Sequence, residues 1–256
     1  MLAAAVVHSL GTRRIGRCGY LFPRLPSTMD AAHRLAQVGV GEGAVVLAEE
    51  QTAGRGRLGR RWVSPPGVNL YLSLVLRPPA EAARRVNMAC CLAVVDTVRQ
   101  VGGLAPTIKW PNDVRLGGRK VCGILMEGRW DSGGMGWLVV GIGLNVNGAF
   151  TGTPLEGVAT SLAQEVGHPL DRGAVLRALL RALDARYEQA LAGVPLWQEW
   201  KGLLEGLGTR VTVRWGEQVV EGVAQGVTPE GDLLVAQEDG RVVALPAGEV
   251  TTHITG

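Results

Sequence analysis

A chain of 256 residues is long enough for one large domain and a small one, with an apolar core that needs no disulfide staple. An apolar share of 46% against 19% charged residues excludes a disordered chain, and a formal net charge of +3 permits anionic partners without demanding nucleic acid. Cys18, Cys90, Cys91 and Cys122 show neither metal-ligand spacing nor a dense disulfide framework, which points to a reducing compartment and hence a cytoplasmic protein.

The opening MLAAAVV is apolar, but Arg13, Arg14 and Arg17 follow it instead of preceding it, so no secretion signal is expected. No stretch reaches the roughly 18 apolar residues of a membrane span. From Ser27 to Val38, Met29, Ala32, Leu35 and Ala36 recur at helical spacing, and Ser27 with Asp30 reads as a capping box. AVVLAEE at 44 to 50 reads as a buried strand. In VNLYLSLVL the positions Val68, Leu70, Leu72, Leu74 and Leu76 share one face of a second strand. Residues 80 to 101 form a long helical pattern stopped by Gly102 and Gly103, and TIKW, RKVCGILME and WLVVGIGLNV supply three more strands. Helices are expected from about Thr160 to Gly167 and from Asp171 to Ala192. Beyond Glu205, short β-branched runs separated by Trp215-Gly216, Glu230-Gly231 and Asp239-Gly240 predict a small C-terminal β-barrel or sandwich. The expected division is therefore 1–205 and 206–256.

Four segments carry chemistry. In Gln51-Thr-Ala-Gly-Arg-Gly-Arg-Leu-Gly-Arg-Arg-Trp62, Gly54, Gly56 and Gly59 let backbone approach a ligand, while Arg55, Arg57, Arg60 and Arg61 offer planar forks suited to phosphate and carboxylate. Mutual repulsion in an empty site predicts a loop that becomes fixed when an anion arrives. A solvated basic loop and an arginine-glycine RNA-binding segment read the same residues without chemistry. In Lys109-Trp-Pro-Asn-Asp113, Pro111 directs the chain so that Asn112 and Asp113 sit on a turn, either a plain Asx turn or a binding site. Lys120, in Gly118-Arg-Lys-Val-Cys-Gly-Ile-Leu125, heads an apolar strand and either snorkels to solvent or points into a pocket. Gly141-Ile-Gly-Leu-Asn-Val-Asn147 places small residues and two amides at a strand terminus.

Taken in order, Ser27-Thr28, GRGRLGR, KWPND, RKVCGIL and GIGLN closely resemble the biotin protein ligases over about 230 residues. The resemblance implies an α+β fold: a mixed β-sheet with flanking helices, like the catalytic domain of class II aminoacyl-tRNA synthetases, plus the small C-terminal β-barrel. It implies an enzyme that uses ATP, magnesium and biotin to make biotinyl-5'-AMP, then transfers biotin to a lysine of a biotin carboxyl carrier domain, such as that of acetyl-CoA carboxylase. By the same resemblance Lys120, Arg57 and Asp113 are catalytic. Ser27, Thr28, Gln51, Gly54, Arg55, Gly56, Arg57 and Lys120 would bind biotin. Arg55, Arg57, Arg60, Trp62, Lys109, Asn112, Asp113, Lys120 and Asn145 would bind ATP or the adenylate, with magnesium carried by the nucleotide. Trp62 and its loop would close over the intermediate as a lid.

Met29 stands where many members have Asn, and Leu58 where a basic residue is common. The 26 residues before Ser27 are too few for the helix-turn-helix domain of the repressor members, so no specific DNA binding is expected. A homodimer is compatible with the family. The rival readings are a lipoate ligase, whose arginine-glycine signature differs, and a non-catalytic basic RNA-binding module. A P-loop nucleotidase would need G-x-x-x-x-G-K-[ST], which is absent.

Overall fold

The computed structural model describes residues 10–131 and 134–253; MLAAAVV, expected not to direct export, lies outside them. The main element is a seven-stranded sheet ordered β1-β2-β3-β7-β6-β5-β4. Its strands are β1 (Gly19–Phe22), β2 (Ala44–Ala48), β3 (Leu70–Leu76), β4 (Thr107–Lys109), β5 (Asp113–Leu116), β6 (Arg119–Asp131) and β7 (Gly134–Leu144). Only β1 and β2 run parallel, so the sheet is mixed.

Helices on both faces explain why β2 is an unbroken apolar run. Helix α1 (Thr28–Gln37) packs Met29, Ala32 and Ala36 against Val46, Val75 and Val139. On the other face lie α2 (Ala80–Gly102) and α4 (Arg172–Leu191), packed on Val45, Leu47 and the expected leucine row of β3. Tyr71, Ser73 and Val75, on the opposite side of β3, are buried as well. Gly103 closes α2 in the left-handed conformation (φ 62°), as its sequence position predicts. The helices expected after Thr160 and Asp171 are α3 (Leu162–Val166) and α4, capped by Ser161 and Asp171 side chains.

Three elements carried no clear sequence signal: β1, β5 and the six-residue α5 (Leu196–Lys201). Each is too short for a period to show, and the partner strand or helix imposes its state. The Ser27–Asp30 capping box does not form. Ser27 occupies the N-cap with extended backbone but its side chain makes no capping bond, and Asp30 instead pairs with Arg55.

The second sheet follows the turn chemistry of the C-terminal segment. Its strands β8 (Arg210–Trp215), β9 (Gln218–Val227), β10 (Leu233–Ala236), β11 (Val242–Leu245) and β12 (Glu249–His253) turn through Gly216, Gly231 and Gly240, all with positive φ. The order is β11-β10-β9-β8-β12, and β11 does not pair with β12. The expected barrel is therefore an open five-stranded antiparallel sheet, since closure needs the two end strands to share a ladder. Its inner residues Val211, Val213, Leu233 and Val235 join the core that holds α2 and α4. Trp110 ties the two sheets together, donating its indole N–H to the Gly231 carbonyl at 2.9 Å.

A buried carboxylate helps to fasten the N-terminal segment, beside the pairs of Arg14 with Glu42 and Glu188. Asp184 on α4, 7% exposed, accepts the backbone N–H groups of Arg13, Arg14 and Ile15 at 2.8, 2.8 and 2.9 Å. Asp184→Ala strands these donors and is expected to lower unfolding free energy by roughly 3 kcal/mol, read from a denaturation midpoint. A change below about 0.5 kcal/mol would show that the segment is held elsewhere.

Candidate active site

Where α1 begins, β2 ends and β6 and β7 lie side by side, a cavity of about 380 Å³ opens between the two sheets. Its floor is made by residues that lack side chains. Gly123 and Gly143 face each other across the β6–β7 ladder, with Gly141 one pleat away on β7. A Cβ on Gly143 would stand 2.4 Å from the Trp62 indole, one on Gly123 2.8 Å from it, and one on Gly141 2.6 Å from the Met29 sulfur. In this structure the Trp62 ring lies on that floor, within the cavity that it is expected to cover, with Lys120 Nζ 5.3 Å from its centroid.

One wall is a polar network. The Thr28 N–H and hydroxyl reach Gln51 Oε1 at 2.9 and 3.1 Å, Ser73 donates to Thr28 Oγ1 at 2.8 Å, and Gln51 Nε2 donates to Ser64 at 3.0 Å. Ser64 and Ser73 belong to this wall although no motif marks them; for Ser73 the signal was a lone serine on an otherwise apolar strand, whereas Ser64 sits in a loop and carries none. Two buried polar atoms here have no partner, Ser27 Oγ and Trp62 Nε1. Buried groups of this kind cost about 1–3 kcal/mol unless a ligand or water completes them.

The arginine loop is a tight hairpin: Arg55 pairs with Arg61, and the chain turns through Leu58 and Gly59, both at positive φ. The expected mutual repulsion is answered by carboxylates on neighbouring elements. Arg55 meets Asp30 at 2.5 Å and Glu127 at 3.5 Å, which keeps its guanidinium charged beyond its ordinary range, and Arg60 is paired with Glu249. His33, accepting from Trp137 on one nitrogen and facing Glu127 with the other at 2.9 Å, completes the anchor of Arg55. Arg57 differs. Its two hydrogen bonds go to neutral acceptors, Asn112 Oδ1 and the Gly248 carbonyl, both at 3.1 Å. Burial pulls its pKa down, so it is the loop cation most in want of an anion.

Lys120 heads β6 and points into the cavity, with its ammonium 2.7 Å from Asp113 Oδ1. Asn112 anchors its amide on the Ile124 carbonyl and holds Arg57 with its oxygen. Asn145 spends its N–H groups on the Thr160 and Lys120 carbonyls, at 3.0 and 3.4 Å, and so also fixes the strand that carries Lys120. Lys109 borders the cavity at the end of β4, and burial lowers its pKa. Every residue expected to be catalytic or to bind biotin or the nucleotide lines this cavity except Gly54, which sits behind it where the loop crosses itself, accepting the Trp62 N–H at 2.9 Å; Gly59, Pro111 and Asn147, also singled out in the sequence, lie outside the lining. Arg57 and Lys120 thus face one space. No group of three or more His, Cys, Asp or Glu among the described residues is arranged to hold a metal ion.

Lys109→Met should leave the fold as stable or more so, because it removes a cation whose burial is unfavourable, yet, by the nucleotide-binding role that the resemblance implies for it, raise KM for ATP by about tenfold. Melting and initial-rate measurements check both halves. An unchanged KM would place Lys109 outside nucleotide binding.

The model of the biotin/lipoate A/B protein ligase family matches residues 21–145, the stretch that carries the mixed sheet, the glycine floor and the cationic loop. A second model, the biotin protein ligase C terminal domain, matches residues 206–251. The chain is 38% identical over 240 residues to a biotin–acetyl-CoA-carboxylase ligase of Paracoccus denitrificans, covering 90% of this chain and 98% of that one. It is 35% identical over 222 residues to the bifunctional ligase/repressor BirA of Bacillus subtilis (strain 168), covering 84% of this chain and 68% of the relative. Among solved structures, the Aquifex aeolicus biotin protein ligase in complex with biotin and ATP superposes with a TM-score of 0.79 at 27% identity, covering 93% of this chain and all of that one. The chain belongs to the biotin protein ligases.

Proposed function

We infer that this protein is an ATP-dependent biotin ligase that makes biotinyl-5'-AMP and passes the biotinyl group to a lysine of a biotin carboxyl carrier domain. The observation that carries the reading is the convergence of Arg57 and Lys120 on a glycine-floored cavity whose wall holds the partnerless Ser27 hydroxyl. Biotin has an apolar bicyclic body, a ureido edge and a carboxylate tail; floor, polar wall and cations answer these three parts.

In the first step a biotin carboxylate oxygen attacks the α-phosphorus of ATP, the bond to the bridging oxygen breaks, and pyrophosphate leaves. Both partners are anions, so catalysis is positioning plus charge neutralisation, supplied by Arg57 and Lys120, with Arg55, Arg60 and Lys109 toward the phosphates. In the second step the acceptor amine attacks the acyl carbon, AMP leaves, and Asp113 takes the proton once Lys120 has turned to the anion. Trp62 must leave the glycine floor to admit biotin, and the loop then covers the mixed anhydride against water. Magnesium would arrive with the phosphates. In this reading residues 1–205 perform the chemistry, and 206–256 form the C-terminal unit beside the nucleotide. The acceptor is a carboxylase carrier domain, as the names of the relatives suggest. All four thiols are free, and no described helix is long and apolar enough to cross a membrane.

Incubation with ATP and magnesium, followed by biotin, lipoate or RNA, tests the reading. Biotin alone should trigger pyrophosphate release; release with lipoate alone would give the site to the runner-up ligase. Retention on RNA without release would reduce the loop to a binding segment.

A further inference from the structure

The arginine loop is held from two sides, and one of them is the second sheet. Arg57 Nη1 donates to Asn112 of the first sheet, whereas Nη2 donates to the carbonyl of Gly248, just before β12. The next residue, Glu249, pairs with Arg60 of the same loop. Two consecutive residues therefore grip two arginines three positions apart. Gly248 is itself fixed in place: a Cβ there would stand 2.7 Å from Val213 Cγ1 and 3.1 Å from the Arg214 carbonyl. An exposed ion pair contributes little by itself, and Arg60 is 66% exposed. Joined to a sheltered carbonyl bond on the neighbouring residue, it restricts where the loop can sit.

We propose that Gly248 and Glu249 form a clasp by which the C-terminal sheet sets the position of Arg57 over the cavity, with Glu249 as a positioning residue for adenylation. The proposal rests on the ligase reading for its catalytic consequence, but not for its structural one. A misplaced guanidinium loses complementarity to the transition state more than to bound ATP, so the cost falls on kcat. A Glu249 that merely repelled phosphate would act the other way, changing KM alone.

The test compares wild type with Glu249→Arg, Gly248→Ala and the exchanged pair Arg60→Glu/Glu249→Arg. Hydrogen exchange of residues 55–61 is followed without ligand, and adenylation is followed by pyrophosphate release. Glu249→Arg and Gly248→Ala should each speed exchange of the loop by at least about fivefold while the rest of the first sheet keeps its protection. Glu249→Arg should lower kcat about tenfold with KM for ATP within about threefold. The exchanged pair should return loop protection to within about twofold of wild type. Exchange is the measure of rescue because Arg60 is itself expected to reach the phosphates. Unchanged loop protection in both single variants, a change confined to KM, or no recovery in the exchanged pair overturns the clasp. A wild type that releases no pyrophosphate defeats the ligase reading, while the exchange comparison still stands or falls alone.

Discussion

Lys120→Ala is expected to cut biotin-dependent pyrophosphate release by about ten- to a hundredfold, because a hydrogen bond to a charged group contributes roughly 1.5–3 kcal/mol and each 1.4 kcal/mol is a factor of ten. The variant loses more than a contact. Asp113, now 2.7 Å from the ammonium, would remain as an uncompensated carboxylate facing two anionic substrates. The fold should hardly notice, since the pair is partly exposed and adds about 1 kcal/mol or less to stability. Near-normal turnover at an unchanged melting temperature would remove Lys120 from the chemistry and leave Arg57 as the principal cation.

Gly143→Ala is expected to weaken biotin binding by about ten- to a hundredfold, in line with the roughly 1–3 kcal/mol cost of overpacking a filled site. The added methyl would stand 2.4 Å from the Trp62 indole, and that ring occupies the surface on which biotin would lie. Either the ring is expelled or the strand shifts, and in both cases the floor is no longer flat. Trp62 fluorescence should respond in the ligand-free protein, and calorimetry should report the affinity. Full-strength biotin binding would mean that the ligand does not use the β6–β7 floor.

Much of the site was legible because its residues are consecutive along the chain. Gln51 through Trp62, Lys109 through Asp113 and Gly118 through Leu125 each end or begin a strand, and strand termini at one side of a sheet lie together. Gly54 reads in sequence as a biotin-binding glycine, whereas here it lets the loop cross itself, and spacing cannot distinguish a glycine that approaches a ligand from one that serves its own loop. Asn145 reads in sequence as a group near the adenylate, yet here its amide braces the backbone of Lys120, since a buried amide must find its partners before any ligand arrives.

Local order along the chain was sufficient for the helices other than α5, the longer strands, the turn glycines of the second sheet and the set of cations, because period, capping and turn chemistry act over a few residues. Contacts between distant segments determined what remained. Whether the C-terminal strands close depends on where β11 and β12 end in space, and no turn sequence encodes that distance. That Arg55 and Arg60 meet carboxylates while the half-buried Arg57 keeps only neutral partners depends on Asp30, Glu127 and Glu249, which the fold brings to the loop from α1, β6 and β12. The glycines of the floor matter only because β6 and β7 pair in the register that sets Gly123 opposite Gly143, and one residue of slip would fill the cavity with side chains.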